Sequence, residues 1–242
     1  MNPVIDLLKN HTSIRLFNEQ PVTDEEEQAI LACVLRGASA GNMMQYTIIP
    51  IRNKETLAKL AESCDDQPFI AKAGLALLFV ADNYKWKRFF ESRGVTDHGA
   101  PYRGPEIPDL MLAIQDAMIA AQNSVIAAES LGLGTCYIGD IMEQAEYHRE
   151  LFHLPSYTMP VTLVVMGHFD SKPQLRSRFD TQYVVSREVY PSVDETFING
   201  MFQKEESKQE NFAQKFYSRK IEADFFKEMI RSVNVYLAQW LK

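Results

Sequence analysis

"AQNSVIAAESLGLGTCYIGDI", Ala121 to Ile141, decides how the rest of the chain is read. Its first half is apolar and alanine-rich, and Gly132 and Gly134 stop that pattern as glycines stop helices. "TCYIGD" then reads as a strand. The paired glycines superficially resemble a phosphate-cradling loop, but Tyr137 stands where its third glycine belongs. They also follow a helix and precede a strand, the reverse of what a phosphate at a helix N-terminus needs. The stretch is therefore helix, turn and strand, with no dinucleotide loop.

Upstream, the helix extends back to Asp109. Its polar residues recur every seven, at Gln115–Asp116, Gln122–Asn123 and Glu129–Ser130. So narrow a polar stripe predicts a helix buried almost all round, in a core or at a subunit interface. Pro3 to Lys9 reads as a first helix. "TDEE", Thr23 to Glu26, is a capping box that opens a helix running to about Arg36. "YTIIPIRN" reads as a strand that Pro50 confines to an edge or a bend. A short helix follows over Glu55 to Cys64, and "LALLFVAD" from Leu75 is a strand buried on both faces. Ser92 to Pro108 holds three prolines and three glycines and reads as a loop or lid. Beyond Tyr137, a helix over Glu143 to Phe152 precedes the strand "VTLVVMGHF". "SKPQLRSRFD" is a basic turn, "YVVSREVY" a late strand, and Gln203 to Lys220 a charged stretch that reads as solvated surface or as a flap over an active site. Phe226, Met229, Ile230, Val233 and Leu237 mark one face of a closing helix. Strands alternating with helices indicate an α+β or α/β sandwich.

The chain has 242 residues, 46% of them hydrophobic, and a formal net charge of −7. That composition suits a globular protein with a substantial core and argues against nucleic-acid binding. No basic-then-apolar leader opens the sequence, and the longest apolar runs fall short of a bilayer, so no membrane role is expected. Cys33, Cys64 and Cys136 share no metal or redox spacing and read as reduced thiols of a cytoplasmic protein. His148 and His153, five apart, do not make a helix-borne metal pair and read as solvated. His98 and His168 are isolated surface positions. No Walker motif is present.

What remains is a dispersed set of donors. In "HTSIRLF", extended backbone would put His11, Ser13 and Arg15 on one side and Ile14 and Leu16 on the other. Arg176 and Arg178 alternate in the basic turn in the same way. If the fold unites them, the two clusters suit one phosphorylated ligand, which arginine forks grip in bidentate fashion.

"HTSIRLFNEQPVTDEE" resembles the opening of the nitroreductase family, whose pattern is basic-x-Ser-x-basic-x-Phe. The similarity continues through "ASAGNMMQY", "DDQPFIAKAG", "AQNSVIAAESLGLGTCYIGDI" and "LRSRF" to about Tyr190. It looks closest to the NADPH-dependent flavin reductases and oxygen-insensitive nitroreductases. The resemblance implies an α+β fold with a mixed central sheet flanked by helices, and an intertwined homodimer. One domain would fill residues 1–242, with a loop insertion about 92–108 and an extension about 190–242.

It further implies FMN as cofactor, NADPH or NADH as donor, and a nitroaromatic, quinone or free flavin as acceptor in a ping-pong cycle. The alternative on the same fold is a flavin-storing or flavin-sensing protein without turnover, which NADPH would not reduce at a useful rate. By the same resemblance, His11, Ser13 and Arg178 would hold the phosphate and ribityl end, with Arg176 beside them. Arg15 would approach the flavin N1/O2 edge, and Gln67 would bond the pyrimidine part of the ring. Tyr137, Ile138, Gly139 and Asp140 would run along the ring, while Ser39, Ala40 and Asn42 would reach in from a second subunit. A cation at Arg15 would stabilise negative charge near N1, by about 4 kcal/mol at ~4 Å and an effective dielectric of ~20, before desolvation. The flavin would do the redox work, and no side chain need act as a catalytic acid or base. Asp140 stands where this branch usually has a second glycine. That carboxylate would repel acidic substrates or lower the reduction potential.

Overall fold

The structure, a computed structural model, describes residues 2–241. Two compact units divide it: residues 2–173 with 228–241, and residues 174–227.

The first unit is built on a four-stranded sheet. Its strands are β1 (Tyr46–Ile51), β2 (Leu75–Asp82), β5 (Gly134–Ile138) and β6 (Thr158–Gly167), in the order β1-β2-β6-β5. Every pairing in it is antiparallel, where a mixed sheet was expected. The cause is the position of β6. β2 and β5 run the same way, but β6 lies between them and turns two potential parallel neighbours into two antiparallel pairs. All eight residues of β2 are buried, as its unbroken apolar run requires. Pro50 lies in β1, at the sheet edge, where a missing N–H costs no ladder bond. Pro160 lies in the interior strand β6, and the register shifts there between Phe79 and Val80 of β2. A bulge accommodates it.

Helices α1 (Pro3–Lys9), α2 (Asp24–Val34), α3 (Lys54–Ser63) and α6 (Ala145–Leu151) agree closely with the sequence reading. Thr23 and Glu26 form the expected reciprocal box, Thr23 Oγ1 accepting from the Glu26 N–H at 3.1 Å and Glu26 Oε2 from the Thr23 N–H at 2.7 Å. α4 (Tyr84–Ser92) was not anticipated. The loop after it holds a two-residue hairpin, β3 (Thr96–Asp97) with β4 (Ala100–Pro101).

α5 (Ile107–Ser130) has 24 residues and packs on the sheet through Leu110, Ala113, Ala117, Ala120, Ala121 and Val125. In length and apolarity it would suffice to cross a bilayer, although no shorter apolar run did. With half of it buried in the fold, it is the core helix. It is not buried all round. Met111, Leu112, Met118 and Ile119 form an exposed apolar face that the sheet and α2 leave uncovered. α9 (Asp224–Leu237) brings Tyr236 and, just beyond it, Trp240 into the same core.

The second unit contains α7 (Glu195–Lys208), α8 (Phe212–Lys220) and the first turn of α9. Residues 203–220, expected as solvated surface or as a flap, are largely helical and exposed. "YVVSREVY" is a 3₁₀ turn and irregular chain rather than a strand. Val184, Val185 and Val189 are all exposed, so no buried face organises a ladder there. Edge-to-face contacts of Phe179 with Phe202 and of Tyr183 with Phe197 hold this unit internally, with an ion pair of Lys204 and Asp180 at 3.0 Å.

Candidate active site

Two glycines explain how "HTSIRLF" reaches the sheet. A Cβ on Gly134 would lie 2.6 Å from Ile14 Cβ, and one on Gly167 would lie 3.1 Å from Phe17. These glycines are partners across β5 and β6, so together they form a bare strip on which the segment lies. The Ile14 N–H donates to the Thr135 carbonyl at 2.8 Å, and Ile14 is buried. The expected alternation fails at Leu16, which is 78% exposed. The segment makes one bond to the sheet edge here and is not a strand, so period-two burial is not imposed beyond Ile14.

Ser13, Arg15, Gln67 and Asp140 converge at the end of β5. The Cys136 thiol marks their meeting point: burial raises its pKa, while the Arg15 charge and the Ser13 hydroxyl oppose that rise and Asp140 adds to it. Arg15 is exposed, its guanidinium carbon 5.9 Å from the centre of the Phe69 ring. Gln67 Nε2 donates to the Cys64 carbonyl at 2.9 Å and to Asp140 Oδ2 at 2.7 Å. Gly139 is exposed, and a Cβ there would meet nothing within 4 Å. A guanidinium, a hydroxyl, an amide oxygen and an open strip of backbone suit a flat, oxygen-rich heterocycle.

The turn that carries Asp140 is rigidly held. Asp140–Met142 is a 3₁₀ turn with Ile141 fully buried, and Gln144 takes left-handed backbone (φ 46°). His148 is buried rather than solvated. Its Nδ1–H donates to the Glu143 carbonyl at 2.8 Å, and Nε2 accepts from Ser63 Oγ at 2.8 Å. Burial lowers the pKa of this imidazole, which keeps it neutral for that pair of bonds. From α9, Glu228 accepts from the Gln144 N–H and Ser232 Oγ from the Ala145 N–H. Glu143 is buried beside Asp140. Desolvation first, then Asp140, Asp65 and Glu228, push its pKa up to about 8.

The polar stripe that recurs every seven residues along α5 supplies a row of anchors. Asp116, 2% exposed, accepts from Ser39 Oγ at 2.7 Å, the Ala40 N–H at 2.9 Å and the Gln45 N–H at 3.2 Å. Gln122 Oε1 accepts from the Tyr137 hydroxyl at 3.2 Å, and Asn123 donates to the Cys33 carbonyl at 3.2 Å. Glu129 Oε1 accepts from His11 Nδ1 at 2.7 Å and from Thr135 Oγ1 at 2.8 Å. One helix thus ties down the 39–45 loop, Tyr137 and His11. Ser39 spends its hydroxyl within its own chain, since it also accepts from the Met44 N–H at 2.6 Å. Gly41 and Asn42 are left-handed at φ 57° and 56° and exposed. Ile138 is buried and meets the site through its backbone. Arg176 and Arg178 lie in the second unit, where all of residues 174–180 are exposed.

Sequence reasoning missed Phe69, Glu129, Asp116 and Glu143. Polar residues in an otherwise apolar helix were the available signal for two of them.

The profile of the Nitroreductase family matches residues 8–168. An FMN reductase (NAD(P)H) of Bacillus subtilis is 33% identical over 195 residues, which span 81% of this chain and 77% of the relative. An oxygen-insensitive NADPH nitroreductase of Salmonella typhimurium is 31% identical over 198 residues, 82% of this chain and 79% of that one. The solved structure of an NADPH:FMN oxidoreductase from Vibrio harveyi complexed with NAD+ shares the fold at a TM-score of 0.82 and 25% identity, over 98% of each chain. The matched profile begins just before the glycine-backed segment and ends just beyond β6, so it takes in the whole sheet and the turn at Asp140: this chain belongs to the nitroreductase family.

Proposed function

We propose that this protein is an FMN-dependent oxidoreductase that takes two electrons from NADPH or NADH and delivers them to a nitroaromatic, a quinone or free flavin in a ping-pong cycle. The observation that carries this reading is that Ser13 and Arg15 gather at Cys136 and Gln67 bonds Asp140, with the open backbone of Gly139 between those two positions in the chain. FMN, when bound, supplies the hydride-accepting centre, and the residues present fit it.

The chain's own residues bind and orient. Ser13 offers a hydroxyl, and His11, whose Nδ1 is committed to Glu129, offers Nε2 as an acceptor to a ribityl hydroxyl at the phosphate end of the ligand. The charge that a phosphate requires is assigned to Arg176 and Arg178 by the sequence resemblance alone. Arg15 supplies a cation to the pyrimidine edge. The Phe69 ring, 5.9 Å from the guanidinium carbon, attracts and orients the cation while leaving its N–H groups available. Tyr137, Ile138, Gly139 and Asp140 form the wall along the ring. The Tyr137 phenol stays protonated, because burial raises its pKa and Gln122 accepts its hydrogen.

The protein works as a homodimer, with the exposed apolar face of α5 at the subunit interface and Ser39, Ala40 and Asn42 offered to the partner's site. With the Ser39 hydroxyl and the Ala40 N–H held by Asp116, that loop presents mainly the Asn42 side chain and remaining backbone groups. The working compartment is the cytoplasm. Purified protein should show a flavin spectrum that NADPH bleaches under nitrogen. A colourless protein that added FMN cannot reconstitute would overturn the reading, and a bound flavin that NADPH reduces only negligibly would favour storage over catalysis.

A further inference from the structure

The Gln67 side chain is less versatile than an amide normally is. A primary amide offers two N–H donors and a carbonyl acceptor, and its terminal torsion is broad enough to present either to a ligand. Here one N–H is taken by the Cys64 carbonyl at 2.9 Å and the other by Asp140 Oδ2 at 2.7 Å. Among the described residues, Oε1 has no hydrogen-bond partner.

Turning the amide over would set Oε1 against the Cys64 carbonyl and the Asp140 carboxylate, two acceptors, so the reversed arrangement is disfavoured twice. Asp140 is itself held as an acceptor. Glu143, buried beside it, is pushed towards its protonated form, by burial first and then by its closeness to Asp140. Glu143 and Gln67 Nε2 therefore both point donors at Asp140, the latter at 2.7 Å.

We propose that Asp140 is a positioning residue that consumes the second donor of Gln67, so that this side chain presents an acceptor alone and selects a heterocycle edge bearing an N–H. This rests on the FMN reading above, in which that edge is the pyrimidine N3–H between its two carbonyls. Were Asp140 a glycine, as in the related branch, the released N–H would be able to donate to either carbonyl, and the demand for an N–H on the ligand would weaken.

The test compares dissociation constants of FMN and N3-methyl-FMN for the full-length apoprotein, read by quenching of flavin fluorescence. The wild type should bind the methylated ligand about 10- to 100-fold more weakly, the penalty for leaving a buried acceptor unpaired. Asp140→Gly should shrink that ratio at least threefold, and Asp140→Asn, whose Oδ1 accepts the same bond, should restore it. Gln67→Leu should abolish it. Thermal melting and far-ultraviolet circular dichroism confirm that each variant is folded. An unchanged ratio in folded Asp140→Gly, or a ratio that survives in Gln67→Leu, overturns the inference and leaves the FMN reading intact. A wild type that binds neither flavin overturns both.

Discussion

Glu143→Gln separates the electrostatics of the Asp140 turn from its shape. The Glu143 carboxyl is 4% exposed, its Oε1 has no hydrogen-bond partner among the described residues, and its pKa rises from the ordinary 4.5 to about 8. At pH 7 the folded chain holds this proton and the unfolded chain does not. The native state thus binds more protons over this window, so stability falls as pH rises. The contribution is fully present below about pH 4.5, begins to fall there, and has gone once the pH passes the folded value near 8. A step from 4.5 to about 8, at about 1.36 kcal/mol for each tenfold change in proton affinity, sets an upper limit of about 5 kcal/mol. Glutamine keeps the shape and an N–H for Asp140 but cannot ionise. Urea unfolding, followed by circular dichroism at one protein concentration from pH 4.5 to 9, reads the difference. The two proteins should agree within about 1 kcal/mol near pH 5. The variant should become the more stable by several kcal/mol at pH 9. Parallel curves with a constant offset would refute a buried protonated Glu143.

Three further perturbations address the scaffold and the ligand. Gly134→Ala places a methyl 2.6 Å from Ile14, so the 11–17 segment must shift. The cost should be about 1–3 kcal/mol in chemical denaturation, with weaker FMN binding, whereas unchanged values would mean the segment does not need the bare strip. Asp116→Ala strands donors of the 39–45 loop and should cost about 3 kcal/mol, checked by denaturant midpoint. Arg178→Ala should lower the flavin content of the purified protein and raise the dissociation constant of FMN by at least tenfold, with riboflavin affected little because it lacks the phosphate.

Much of this architecture was legible in the chain. Strong local signals placed elements correctly: the Thr23–Glu26 box, the unbroken β2 run, Pro50 at an edge and Gly132 as a helix stop. The failures share a cause, which is that partners distant in sequence decide the outcome. Nothing local in "YVVSREVY" reveals that no sheet edge receives it. His148 reads as a surface residue until Ser63 and the Glu143 carbonyl, 85 and 5 positions away, satisfy both of its nitrogens. The antiparallel sheet depends on β6 entering between β2 and β5, a topological fact that alternation of strands and helices does not specify. The site divides in the same way. Motif residues Ser13, Arg15, Gln67 and Asp140 could be named from their spacing within a resemblance. Asp116 and Glu129 stood out only as polar interruptions of α5, and their task of anchoring loops appears once the loops are in place.

A co-crystal structure with FMN tests the central claim most directly. The account predicts the isoalloxazine ring along Ile138–Asp140, the Arg15 guanidinium at its pyrimidine edge and Gln67 Oε1 accepting a ring N–H. Electron density for FMN elsewhere on the chain, with Arg15 and Gln67 untouched, would contradict it.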